Sequence, residues 1–253
     1  YERVAHLRPF RLPGGDAAVK EPRRMALALA HAAWGQDGID RALEALGAAV
    51  FEAGEPGVLR QVLDRGFRAP WTTSAGRLFD GASSLIGLAH RAAFEGEAAM
   101  ALEFAVDPTA TGAYPFAVGS EGSGGPGAGV DPPTGRGNGR AGRPDGGLVV
   151  DWAPALAALL DDARAGVAAG TMAARFHNGL AAAIATVAER VGEPQVALTG
   201  GVFQNRILTE RTVAALRAGG LRPLLHRRVP ANDGGLALGQ VAVAAAVREG
   251  EAT

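Results

Sequence analysis

Three observations predict an α/β fold. The second half of the chain alternates helix, strand, helix, strand, helix. Both of its strands run into glycine-bearing loops, VALTGG at 196–201 and the PANDGG that follows RPLLH. The first half carries helical apolar stripes and little else. Such alternation lays a parallel pair of strands against covering helices. At 253 residues the chain is one large or two-lobed unit, since a domain takes about 150 residues.

In chain order, ERVAHLRPF (2–10) reads as a strand and LPGGD (12–16) as a turn. Residues 21–33 read as a helix with Pro22 in its first turn. Residues 40–51 form a second helix, broken by GEPG at 54–57, and 57–66 a short third. Residues 72–92 read as one long helix with a Thr/Ser start, and 95–105 as another. From 117 to 147 Gly and Pro make up over half the residues, so the segment predicts a disordered insert. Arg136, Arg140 and Arg143 are offset there by Glu121, Asp131 and Asp145, which argues against a polybasic arm. Residues 147–154 run strand into helix, and 154–168 and 170–191 are helices. A buried strand at 196–201, a helix at 205–218, a strand at 222–226 and a closing helix at 235–249 complete the order. The organisation expected is a helix-rich part (1–116), the insert (117–147) and an α/β lobe (148–253).

Composition removes several classes of function. With 25 basic and 26 acidic residues the net charge is −1, which gives no basis for nucleic-acid or anionic-membrane binding. The absence of cysteine excludes disulfides, thiolate metal sites and a cysteine nucleophile, and fits a cytoplasmic setting. No apolar run approaches the roughly 20 residues of a membrane span. The start at Tyr1, inside a strand-like stretch and without Met, is expected of a piece of a longer protein.

Four segments carry candidate chemistry. In LTGGVFQN, Gly200 and Gly201 follow a strand and precede a helix that Asn205 opens. Glycines admit a close ligand and a helix N-terminus attracts an anion, although a plain turn would read the same. In PANDGG, Asp233 is either a helix cap or a cation ligand beside a phosphate. In TTSAGRLFD, Gly76 and Asp80 share a helical face. A ligand lying at Gly76 would let Asp80 accept hydroxyl hydrogen bonds; the simpler account is helix packing at Gly76 and a solvated Asp80. Lys20, Arg23 and Arg24 crowd a helix start, which opposes the helix dipole unless anions such as Asp16 and Glu21 offset them. His177 sits mid-helix among apolar residues and reads as a core histidine. No HxxxH, GxSxG or Walker A pattern occurs.

Together the segments ERVAHLRPFRLPGGDAAVKEPRRMA, TSAGRLFDGASSLIGL, FEGEAAMALE, ARFHNGLA, LTGGVFQNRILTE and PANDGGLALGQ resemble, in order, the C-terminal catalytic domain of the HypF hydrogenase-maturation carbamoyltransferases. The resemblance spans nearly the whole chain apart from the insert. It implies an actin/Hsp70/sugar-kinase-like (ASKHA) fold related to the TsaD proteins, with the second lobe largely complete and the first partial. It implies that carbamoyl phosphate and ATP yield carbamoyl-adenylate at a preceding domain. This domain then passes carbamoyl to the C-terminal cysteine of a HypE-type partner, for the cyanide ligands of nickel–iron hydrogenase.

By the same resemblance Gly200 and Gly201 lie beside the nucleotide phosphate, with Asn205 a nearby polar contact. Gly76 and Asp80 lie against the ribose. Asp233 is one ligand of a divalent metal (Fe, Zn or Mg), whose paired-histidine segment and further acid precede this chain's start. Lys20 and Arg23 hold the carbamoyl or phosphate end as catalytic residues. A positioned mixed anhydride needs orientation, charge stabilisation and exclusion of water, and its nucleophile comes from the partner. Two other readings stand beside this one: a small-molecule kinase of the same superfold, and a non-catalytic nucleotide-binding or partner-docking module.

Overall fold

The computed structural model describes residues 2–120 and 147–251. Two short strands open it, β1 (Ala5–Leu7) and β2 (Phe10–Arg11), where one strand over 2–10 is expected. Pro9 divides them because it has no N–H for a ladder. Helix α1 (Asp16–Lys20) leads into α2 (Pro22–Leu46), a single element kinked at Trp34 and Gly35, where Gly35 takes φ 63°. The two helices expected over this stretch are its two arms. Gly47 ends it, and Ala48–Val50 forms a 3-10 turn. Helix α3 (Glu55–Arg65) starts two residues before its expected position, because Pro56 fits the first turn rather than breaking it.

Strand β3 (Trp71–Thr72) and helix α4 (Ala75–Leu85) replace the long helix expected over 72–92. Ser74 caps α4, and the left-handed Gly87 (φ 85°) stops it. Then come α5 (Glu97–Phe104), β4 (Ala117–Ser120), β5 (Leu148–Asp151), α6 (Ala153–Arg164) and α7 (Ala169–Val191). Strand β6 (Gln195–Leu198), helix α8 (Arg206–Ala218), strand β7 (Arg222–Leu225) and helix α9 (Leu236–Glu251) close the chain.

β6 and β7 pair in parallel, as the alternation predicts, but of β6 only Leu198 is buried. β5 pairs in parallel with β1 and antiparallel with β4, so strands from before and after the insert share one sheet. The insert therefore begins after Ser120 rather than at 117; its residues 121–146 lie outside the described residues. Ser120 stands directly opposite Leu148, so the two ends of the insert sit side by side. Replacing 121–147 by a two-residue Asn-Gly hairpin turn, which suits antiparallel neighbours, is expected to keep a single cooperative melt. A broadened or split calorimetric transition would contradict that.

The main core joins α2 (Met25, Leu29), α4 (Leu78, Phe79), α6 (Leu156, Leu159) and α7 (Phe176, Leu180). Gly81 is the close contact between α2 and α4: a Cβ there would strike the Leu29 side chain and press on the Met25 backbone. A smaller cluster under β6 holds Ala185, Ala188, Leu198 and Leu216. Helix α9 lies outside both, with Leu236, Leu238, Val241, Val243 and Val247 exposed. Among the described residues no helix is long and apolar enough to cross a membrane.

Candidate functional site

The N-terminal turns of α4 form one wall. Ser74 Oγ accepts from the Arg77 backbone N–H at 3.4 Å. A Cβ on Gly76 would meet only Ser74 Oγ, at 3.7 Å, so this glycine borders open space and does not serve helix packing. One turn on, Asp80 is buried at 3 % exposure, not solvated as spacing suggests. Arg77 Nη1 lies 3.1 Å from Asp80 Oδ2, yet neither atom makes an aligned hydrogen bond. Burial pushes the Asp80 carboxyl up to about 6, against the pull of Arg77 and with a smaller push from Glu95.

The glycine loop forms the second wall. Gly200 takes φ 101° and donates its N–H to Ala231 O at 2.7 Å; Thr199 Oγ1 reaches the same carbonyl at 3.4 Å. The loops after β6 and β7 therefore meet. Neither Gly200 nor Gly201 has an atom within 4 Å of where a Cβ would stand. The 3-10 turn Gly201–Gln204 packs on α4. Beneath it, Asn205 Oδ1 accepts from Leu208 N at 2.8 Å and caps α8, while Nδ2 donates to His177 Nε2 at 2.9 Å. His177 Nδ1 donates to Ala173 O at 2.8 Å, and its ring meets Phe79 edge-on at 5.4 Å. Burial lowers His177 to about 4, so the ring is neutral, as a core histidine should be. Phe79, His177 and Asn205 thus tie α4 to the glycine loop. The Asn205 side chain spends its donor and its acceptor within the protein. Asn205→Ala is expected to cost about 2 kcal/mol, from a lost cap and an orphaned His177 nitrogen. A urea midpoint equal to the parent's would refute that.

Lys20 is exposed at the end of α1. Arg23 is 2 % exposed and fully engaged. It pairs with Glu21 (2.6 Å) and Glu55 (3.1 Å), donates to Val50 O and stacks 5.3 Å above Phe51. Glu21 and Glu55 answer the crowding of cations at this helix start. Glu21 is driven up by burial, but the hydrogen bonds from Arg23 and Arg24 and their charges outweigh that and hold it below the usual carboxylate range. Arg23 links toward α4 through its N–H to His90 O and the 3.0 Å Ser84–His90 hydrogen bond. That is about two turns beyond Gly76. A cavity of about 240 Å³ lined by Leu46, Ser84, His90, Val167 and Met172 opens at the same end.

The structure thus brings Gly76, Asp80, Gly200, Gly201 and Asn205 around one region, with Asp233 in the adjoining loop, and leaves Lys20 and Arg23 toward the other end of α4. Asn232 Oδ1 caps the turn Asp233–Gly235 through Gly234 N at 3.1 Å, so the capping belongs to Asn232, and Asp233 is exposed. Among the described residues no group of three His, Asp or Glu side chains is placed to hold a metal. A lone carboxylate does not make a metal site. Sequence reasoning missed Arg77, Glu55 and Gly81; the i,i+3 spacing of Arg77 and Asp80 is the one signal available for the first.

A family model described as "Carbamoyltransferase, Kae1-like Domain, second subdomain" matches residues 1–240. The chain belongs to this family. It is 36 % identical over 256 residues to carbamoyltransferase HypF of Synechocystis sp., covering 95 % of this chain and 30 % of that protein. It is 39 % identical over 251 residues to carbamoyltransferase HypF2 of Cupriavidus necator, covering 96 % and 30 %. The structure superposes on a crystal structure of full-length HypF in the phosphate- and nucleotide-bound form with TM-score 0.79 at 28 % identity, covering 97 % of this chain and 29 % of that one. The chain therefore spans about 30 % of the length of these HypF relatives. Asp80 and the open glycines are accordingly features of a HypF carbamoyltransferase subdomain.

Proposed function

We propose that this chain is the nucleotide-holding part of an ATP-dependent carbamoyl transfer. The observation that carries the reading is the joining of two walls: a buried carboxylate beside an open glycine on α4, and an open glycine pair packed against the same helix. A nucleotide-bound relative of matching shape supports it. In this reading the adenylate ribose lies along Gly76, Asp80 Oδ1 accepts its hydroxyls, and Gly200 and Gly201 leave room for the phosphate. The lobes are those of the ASKHA fold. The carbamoyl donor is carbamoyl-adenylate, made from carbamoyl phosphate and ATP by a preceding domain.

The acceptor is the terminal cysteine thiolate of a HypE-type partner. Its sulfur attacks the carbamoyl carbon, a C–S bond forms, the bond from carbon to the phosphate oxygen breaks, and AMP leaves. The chain's own residues orient the adenylate and shield it from water. Lys20, exposed, remains available to the phosphate or carbamoyl end; Asp233, in the adjoining loop, is the carboxylate that would help ligate a divalent metal with residues from elsewhere in a longer protein. The test is transfer of ¹⁴C from carbamoyl phosphate to a HypE-type partner in the presence of ATP, by a protein carrying this chain. Label that appears on the partner only while its terminal cysteine is intact supports the reading. Phosphorylation of a small molecule without carbamoyl transfer would overturn it in favour of a kinase.

A further inference from the structure

Asp80 has one oxygen sealed in and one not. Oδ2 is closed to solvent and has no hydrogen-bond partner, and so is the Arg77 Nη1 that faces it at 3.1 Å. Oδ1 is not sealed in this way, and Asp80 stands one turn on from the open Gly76 on the same side of α4. Arg77 is itself 8 % exposed, with its other terminal nitrogen 3.8 Å from the exposed Glu95. A guanidinium held this deep, with a donor unspent on the protein, is costly unless it serves the one buried acid beside it.

We infer that Arg77 is the positioning residue of the nucleotide site: it draws Oδ2 of Asp80 inward, presents Oδ1 to the ligand hydroxyls and keeps the carboxylate charged. The inference rests on the nucleotide reading above and adds to it the residue that sets its pH range. Most other elements packed on α4 bring apolar groups: α2 gives Met25 and Leu29, α5 Ala98 and Leu102, α6 Leu156 and Leu159, and the 201–204 turn Val202 and Phe203. Helix α7 brings Phe176 and one titratable group, His177, against Phe79, and burial keeps that ring neutral across the range tested. Arg77 and Glu95 are the charged groups that act on Asp80, the first favouring its ionised form and the second opposing it. Burial alone would leave Asp80 protonated near neutrality, and a protonated carboxyl no longer accepts from two hydroxyls.

The test is ATP binding followed by calorimetry from pH 5 to pH 8, on the parent protein, Arg77→Met, Arg77→Gln, Arg77→Lys and Asp80→Asn. Parent affinity is expected to fall as pH drops through about 6, where Asp80 takes up its proton. In Arg77→Met that midpoint moves up by about one pH unit, since the opposing charge is gone. Arg77→Gln moves it the same way and, being polar and of similar length, reports even if the methionine variant fails to fold. Arg77→Lys keeps the midpoint near the parent's, and Asp80→Asn removes that midpoint, leaving the titration of ATP's own terminal phosphate, which every variant shares. A uniform loss at every pH in Arg77→Gln, with the midpoint unmoved, would overturn Arg77's role and leave the nucleotide reading standing. A well-folded parent that binds no ATP at any pH would overturn both.

Discussion

Arg23→Met is expected to lower the melting temperature by about 10 °C at pH 7. Arg23 is buried against Glu21, Glu55, Val50 O and the Phe51 ring. Removing one partner of a buried ion pair costs about 3–5 kcal/mol, because the remaining charge is left without compensation. The lower end applies, since Arg24 still reaches Glu21 at 2.9 Å and Glu55 at 3.1 Å and both acids keep some solvent. For a chain of this size about 3 kcal/mol is about 10 °C. The pH dependence has a definite sign. Glu21 has a lowered folded-state pKa, so its contribution is present above its ordinary value of 4.5 and is lost as pH falls through the folded value. The gap between parent and variant should therefore close in acid. A variant melting within about 2 °C of the parent would show that Arg23 is no anchor and that its donors are free to meet a ligand.

That experiment bears on how sequence divides structural from chemical residues. The helix-strand alternation after residue 147 was legible because strands of four residues sit between long amphipathic helices, and the parallel pair β6–β7 follows from it. The N-terminal half was harder. Its strands β2 and β3 have two residues each, too few for any period to register. Helix α4 was overextended because Ser83, Ser84 and Ile86 continue a helical pattern that Gly87 cuts short. Gly76 and Asp80 could be found from their spacing, but the spacing says nothing of burial; that comes from α2 and α5 closing over α4. Arg23 shows the reverse. Three cations at a helix start suggest an anionic ligand, yet the anions are the neighbouring Glu21, which the sequence offers, and Glu55, thirty-two positions away, which no local pattern announces. His177 was read correctly because one histidine on an apolar helix has few other fates; its donor Asn205, 28 residues off, could not be foreseen.

Gly76→Val is expected to reduce ATP affinity more than about tenfold, or 1.4 kcal/mol, while leaving the melting temperature at or above the parent's. Most substitutions trade the two in the same direction, so the opposed signs are diagnostic. Gly76 lies in the first turn of α4, where glycine is worth up to about 1 kcal/mol less than alanine, and no protein atom but Ser74 Oγ would crowd a new Cβ. The fold therefore gains nothing from glycine there. Other glycines have structural reasons: a Cβ at Gly179 would run into Tyr114 O, one at Gly170 would stand 2.8 Å from Ala105 O, and Gly200 needs its positive φ. Gly76 and Gly201 share none of these constraints: each borders open space, one in the first turn of α4 and the other at the start of the turn that packs on α4. A side chain at either position costs the protein little and costs a ligand its seat. Gly76→Ala should fall between parent and valine in affinity, with a slightly raised melting temperature. Unchanged affinity in both variants, measured by the same titration, would remove the ribose from α4 and leave Gly76 without a physical reason.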